Sequence, residues 1–150
     1  MIDERLIMLV KEKGWASLNE LQLKSIEIVK RGDNVLITAP TGSGKTEAAL
    51  LPILDEMLKT NPEPVSLLYI TPMRALINDV FNRIKWWADK LGLTIARKHG
   101  EVSQREKNMR NKVKPQILVL TPESLKIDLD WAPRFRENYK SVRWIIIDEI

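Results

Sequence analysis

"APTGSGKT", residues 39–46, is the stretch that decides the fold. Its spacing is that of the phosphate-binding P-loop pattern, with Ala39 where the first glycine usually stands. Gly42 and Gly44 let backbone N–H groups turn inward toward phosphate oxygens. A helix starting here directs its positive end at the same anion. Lys45 supplies a charge for the β- and γ-phosphates, and Thr46 offers a hydroxyl to Mg2+. Thr41, Gly42, Ser43, Gly44, Lys45 and Thr46 are therefore the candidate nucleotide-binding set, with ATP and Mg2+ as the implied cofactors. The competing reading is a chance glycine-rich turn, which average residue usage produces in roughly one chain in a hundred of this size.

The surroundings favour the phosphate reading. "NVLIT", residues 34–38, predicts a short apolar strand just before the glycines, and a helix from Gly44 to about Lys59 follows them. Pro52 falls inside that helix and is expected to kink or break it. Upstream, residues 2–13 carry apolar positions at helical spacing and Gly14 ends them; a second helix runs from Asn19, a candidate N-cap, to Arg31. Downstream, "VSLLYIT", "LTIARKH", "QILVLT" and "VRWIIID" predict four further strands. Helices are expected between them from Pro72 to about Lys90, over 103–112, from about Glu123 and over 134–139. Strands alternating with helices mean βαβ units, hence an α/β domain with a parallel sheet and helices on both faces. The strands are apolar throughout, as both-sided burial requires.

The chain's last strand runs into two acids, "WIIIDEI", residues 144–150. A P-loop needs a carboxylate at a neighbouring strand end to hold Mg2+, and Asp148 fits that role. Glu149 beside it is a candidate for polarising an attacking water. Lys45, Asp148 and Glu149 are thus the candidate catalytic residues, and Thr46 and Asp148 the candidate metal ligands. The alternative is a solvated acidic turn.

Composition narrows the chemistry further. The 150 residues are 44% hydrophobic and 29% charged, and they suit one globular domain. No apolar run approaches the roughly 20 residues that span a bilayer, and the charged N-terminus does not resemble a signal peptide. A cytoplasmic location is expected. The absence of cysteine excludes disulfides, thiol catalysis and cysteine-bound zinc, and the single histidine, His99, excludes a histidine-cluster metal site. A net charge of +4 is compatible with nucleic acid without requiring it.

In order along the chain, the motifs resemble those of a superfamily 2 helicase, and more narrowly of its Lhr-type (large helicase-related) branch. "GWASLNELQ", residues 14–22, resembles the Q motif, in which Gln22 would read the adenine edge through an amide that both donates and accepts. "APTGSGKTEAA" resembles motif I, and "TPMRALIND", residues 71–79, resembles motif Ia in its Lhr form rather than its DEAD-box form. "KHGEVS", residues 98–103, is similar to the glycine motif after the third strand, "TPESL", residues 121–125, to motif Ib, and "DEI" to the start of motif II. The resemblance implies a RecA-like P-loop fold, present here as an incomplete, N-terminal part of the first motor domain over residues 1–150.

It also gives Arg74, Gly100, Thr121 and Pro122 a shared purpose as contacts to a single strand, with DNA preferred and RNA left open, at the sheet edge where open α/β sheets bind ligands. A Thr-Pro step is equally a good helix start, and Arg74 alone could be a surface charge. The basic run 105–114 reads as a solvated face, and Trp86, Trp87, Trp131 and Trp144 as packing or interface. In the family, the strand carrying motif III separates the P-loop strand from the motif II strand and would follow residue 150. A gap or exposed edge beside "WIIID" is therefore expected, with self-association through that edge. The implied activity is ATP-driven strand translocation by a longer protein. The 150 residues alone are expected to bind nucleotide or single strands without turnover, and a P-loop ATPase with no nucleic-acid role is the remaining alternative.

Overall fold

The computed structural model describes residues 2–72, 74–98, 114–131 and 133–149, and of residues 131 and 133–135 the backbone alone. The chain divides into two compact units, Met1–Asn61 and Pro62–Ile150.

The first unit is helical: α1 (Glu4–Glu12), α2 (Glu20–Val29) and α3 (Lys45–Thr60). Asp3 caps α1 by accepting from the Arg5 N–H, and its buried stripe is Leu6, Leu9 and Val10. Asn19 caps α2 through a reciprocal capping box with Gln22, so two otherwise orphaned N–H groups are satisfied. The C-terminus of α3 ends on Asn61 in the left-handed region, φ 43°. Helix α3 is the core of this unit: Ala48, Leu50, Leu51, Leu54 and Met57 are all buried.

In this unit one sequence expectation fails in part and another fails outright. Pro52 does not break α3, which runs unbroken over 16 residues. The missing N–H of Pro52 leaves the carbonyl four residues earlier, that of Ala48, without its helical donor. The buried Ser25 hydroxyl of α2 donates to that oxygen at 2.5 Å. Nor is "NVLIT" a strand: residues 34–38 pair with no other strand among the described residues, and Leu36 is 73% exposed. A strand is held by its neighbours' hydrogen bonds, so an apolar run with no ladder partner keeps no strand identity.

One ionic cluster joins three parts of this unit. The Asp55 side chain, fully buried on α3, accepts from the Asp3 backbone N–H at 2.6 Å. It also pairs with Lys30 at 2.5 Å and Lys59 at 2.8 Å. Burial pushes its carboxyl upward, but the bonds from Lys30, Lys59 and Asp3 outweigh burial and hold it below the ordinary carboxylate range.

The second unit is a parallel sheet in the order β2–β3–β1–β4, with β1 (Leu67–Ile70), β2 (Ile95–Lys98), β3 (Ile117–Leu120) and β4 (Trp144–Ile147). Helices α4 (Ile77–Leu91), α5 (Pro122–Trp131) and α6 (Pro133–Asn138) connect the strands. Helix α4 packs on β2 and β3. On one face Leu68, Ile70, Leu118 and Leu120 cluster with Val65, and Leu125, Tyr139 and Val142 cover them. Inner strands β1 and β3 are buried at every position, the pattern expected of a sheet with helices on both faces. Edge strand β4 is not: Ile145 and Ile147 are each 57% exposed. The expected exposed edge is present, and β4 also departs from the expectation of apolar strands buried on both sides: Ile145 and Ile147 alternate with the less exposed Trp144 and Ile146, so one face of the strand is exposed among the described residues.

Helix α4 starts later than Pro72, after a 3-10 turn over Arg74–Leu76. Trp87 is completely buried and meets Trp86 edge-on with centroids 4.9 Å apart, which is packing, as expected. His99, the helix expected over 103–112 and nearly all of the basic run lie outside the described residues. Among the described residues no helix is long and apolar enough to cross a membrane. The parallel sheet between helices is consistent with an incomplete RecA-like fold.

Candidate functional site

The phosphate cradle belongs to the first unit. Gly42 and Gly44 take φ of 81° and 85°, left-handed values that glycine adopts without a steric cost. Gly44 is the N-cap of α3, and no side chain caps this helix, unlike α1 and α2. Its first N–H groups are of the kind that bind anions. Lys45 is the first residue of the helix and is exposed; Thr46 follows, half-buried. Thr41 and Gly42 are exposed on the loop, and the Ser43 hydroxyl donates to the Pro40 carbonyl at 2.6 Å.

The N-terminal end of α2 braces this loop. Asn19 Nδ2 donates to the Ser43 carbonyl at 2.9 Å. Gln22, 3% exposed, accepts the Asn19 N–H at 3.0 Å and donates toward the Gly44 carbonyl at 3.5 Å. A Cβ on Gly44 would lie 2.6 Å from Gln22 Nε2 and 3.2 Å from Asn19 Nδ2. Gln22 therefore both donates and accepts, as its residue type suggested, but here its partners are backbone groups. The role of Asn19 in holding Ser43 was missed. An asparagine just ahead of a helical run signals the cap but not this second bond.

The carboxylate end belongs to the second unit. The register pairs Lys98 with Leu120, Leu120 with Ile70, and Ile70 with Ile147, so the four strand ends form one row. Thr71, Thr121 and Asp148 leave the sheet at the same edge. The ladder continues one step past the strands, with Thr71 N–H donating to Leu120 O at 3.0 Å and Asp148 N–H to Ile70 O at 2.9 Å. Asp148 is half-buried, and its Oδ2 accepts from the Tyr69 hydroxyl at 3.1 Å. Glu149 is exposed and takes φ 53°, a left-handed conformation costing a non-glycine residue about 1–2 kcal/mol.

Of the candidate single-strand contacts, Arg74 is exposed in the 3-10 turn after β1, and Pro122 is exposed as the first residue of α5. Thr121 is buried, and its hydroxyl accepts the Ser124 N–H at 3.3 Å, so it caps α5 with Pro122 behind it. Gly100 lies outside the described residues.

Among the described residues no group of three or more acidic or histidine side chains could hold a metal alone. Mg2+ characteristically takes one or two protein oxygens and completes its shell with phosphate and water. The Thr46 hydroxyl in the first unit and the Asp148 carboxylate in the second are each an oxygen of that kind, and each is half-buried in its own unit.

The sequence matches the DEAD/DEAH box helicase family over residues 19–150. It is 37% identical over 142 residues to the ATP-dependent helicase Lhr-Core of Sulfolobus acidocaldarius, covering 86% of this chain and 16% of that protein. Among solved structures it is similar to the DUF1998 helicase MrfA bound to DNA and AMPPNP, with TM-score 0.85, 25% identity, and 99% and 21% of the two chains covered. It is also similar to the Mycobacterium smegmatis helicase Lhr bound to ssDNA and AMP-PNP, with TM-score 0.79, 28% identity, and 91% and 19% covered. The chain spans about a sixth of the length of the Lhr-Core relatives it matches.

Proposed function

Because the chain belongs to the DEAD/DEAH box helicase family, we propose that residues 1–150 are the N-terminal part of the first RecA-like domain of an Lhr-type, ATP-dependent DNA helicase. The observation that carries this reading is the uncapped start of α3 behind the left-handed Gly42 and Gly44. The loop N–H groups and the helix end receive the phosphates, with Lys45 beside the β- and γ-phosphates. Thr41, Gly42, Ser43 and Gly44 shape the cradle, and Thr46 and Asp148 are the residues that would offer oxygens to Mg2+. When bound, that cation neutralises charge on the transferring phosphoryl group. Glu149 polarises the attacking water. To read the adenine edge, Gln22 exchanges its contact with the Gly44 carbonyl for the base.

Arg74, Thr121 and Pro122 lie on or after the strand-end row; together with Gly100 they contact the backbone of a single strand, Thr121 through its backbone since its hydroxyl caps α5. DNA is favoured over RNA because the MrfA and Lhr structures hold DNA. In the longer protein, hydrolysis drives translocation in the cytoplasm; the 150 residues alone bind without turnover. Binding of a fluorescent ATP analogue tests the cradle: Lys45→Ala should lower affinity at least tenfold, losing a charge-assisted contact of about 1.5–3 kcal/mol, and unchanged affinity would remove the assignment. ATPase activity of the full-length protein should rise with single-stranded DNA; no rise refutes the helicase reading.

A further inference from the structure

Tyr69 is the one residue of β1 that carries a polar group at its tip, in the run Leu67, Leu68, Tyr69, Ile70. It is 1% exposed, so its hydroxyl cannot be satisfied by bulk water. A buried phenol O–H needs a protein partner. Parallel pairing sets Tyr69 opposite Ile146 on β4. Asp148 lies two residues beyond Ile146, hence on the same face, at the diagonal distance a phenol can bridge. The 3.1 Å bond from the Tyr69 hydroxyl to Asp148 Oδ2 closes that diagonal. Asp148 is held a second time by its own N–H on the Ile70 carbonyl. Among the described residues its carboxylate accepts no other hydrogen bond.

We propose that Tyr69 is a positioning residue for the cation site: its hydroxyl fixes the rotamer of Asp148 and occupies Oδ2, so that Oδ1 is presented to Mg2+. The inference rests on the role given to Asp148 above. A carboxylate just past a strand end is otherwise free to turn about two torsions. The phenol, anchored on an inner strand, is a rigid post with little entropy left to lose. Outer-shell partners of this kind orient metal ligands, and their loss typically costs roughly ten- to a hundredfold in metal affinity.

The test is a Mg2+ titration of fluorescent ATP-analogue binding to the chain, with Tyr69→Phe, Asp148→Asn and the double variant. Phe keeps the buried ring and removes the hydroxyl alone. The expected result is a rise of about tenfold in the half-saturating Mg2+ concentration for Tyr69→Phe. Nucleotide affinity in EDTA should not change, and adding Tyr69→Phe to Asp148→Asn should shift nothing further. A merely structural tyrosine would lower stability without moving the Mg2+ midpoint. If Asp148→Asn raises the midpoint and Tyr69→Phe does not, the positioning role is wrong and the cation-site reading stands. If Asp148→Asn leaves the midpoint unchanged, Asp148 is no cation ligand and both fall. An additive shift in the double variant also overturns the inference, since Tyr69 would then act without Asp148.

Discussion

Removing the Ser25 hydroxyl should cost far more in this chain than in a variant that lacks Pro52. The Ala48 carbonyl lies in a residue with no exposed surface, and Pro52 offers it no N–H. Ser25 is its donor, at 2.5 Å. Ser25→Ala therefore leaves a buried carbonyl unsatisfied, at about 1–3 kcal/mol, and about 2 kcal/mol is expected here. With Pro52→Ala already in place, residue 52 regains an N–H that can serve the same oxygen. Ser25→Ala should then cost about 0.5 kcal/mol, the lower end for one net hydrogen bond. The coupling in the double-mutant cycle is the difference, about 1.5 kcal/mol, within the range for groups sharing one partner. Whatever Pro52→Ala does to packing or chain entropy is common to both arms and cancels. The assay is urea unfolding of the four proteins followed by far-ultraviolet circular dichroism. Equal costs of Ser25→Ala in the two backgrounds would show that Ser25 does not stand in for the missing helical donor.

Two further outcomes are expected. Asp55→Asn removes the charge that joins Lys30, Lys59 and the Asp3 N–H. It should cost about 2–3 kcal/mol, less than the roughly 3–5 of a fully buried pair, because both lysines reach solvent. Asp55 titrates below its ordinary value when folded, so its contribution is complete above the unfolded carboxyl pKa of about 4 and is lost as pH falls through the folded value. Urea midpoints of parent and variant should converge on acidification, and a constant gap from neutral pH down to acid would refute the assignment. Separately, Ile145→Lys with Ile147→Lys places charge on the exposed face of β4 and should suppress concentration-dependent self-association. Sedimentation showing a monomeric parent chain at every concentration would exclude association through that edge.

The sequence by itself determined what depends on neighbours along the chain. The glycine turn at Gly42 and Gly44, the Asn19 cap and the Thr121–Pro122 start of α5 were legible because caps and tight turns are decided within a few residues. Parallel strands were legible because runs such as "ILVL" are apolar on both sides. The tertiary structure decided whatever needed a distant partner. Residues 34–38 have the composition of a strand, but a strand exists through its ladder, and no neighbour supplies one among the described residues. Pro52 reads as a breaker, yet a hydroxyl 23 positions from Ala48 repairs the helix. Tyr69 reads as one more core residue until the β1–β4 register brings it to Asp148, 79 positions away. Local rules count donors and acceptors along one segment. Which distant group fills a vacant one is a matter of register and packing, and those are properties of the folded chain alone.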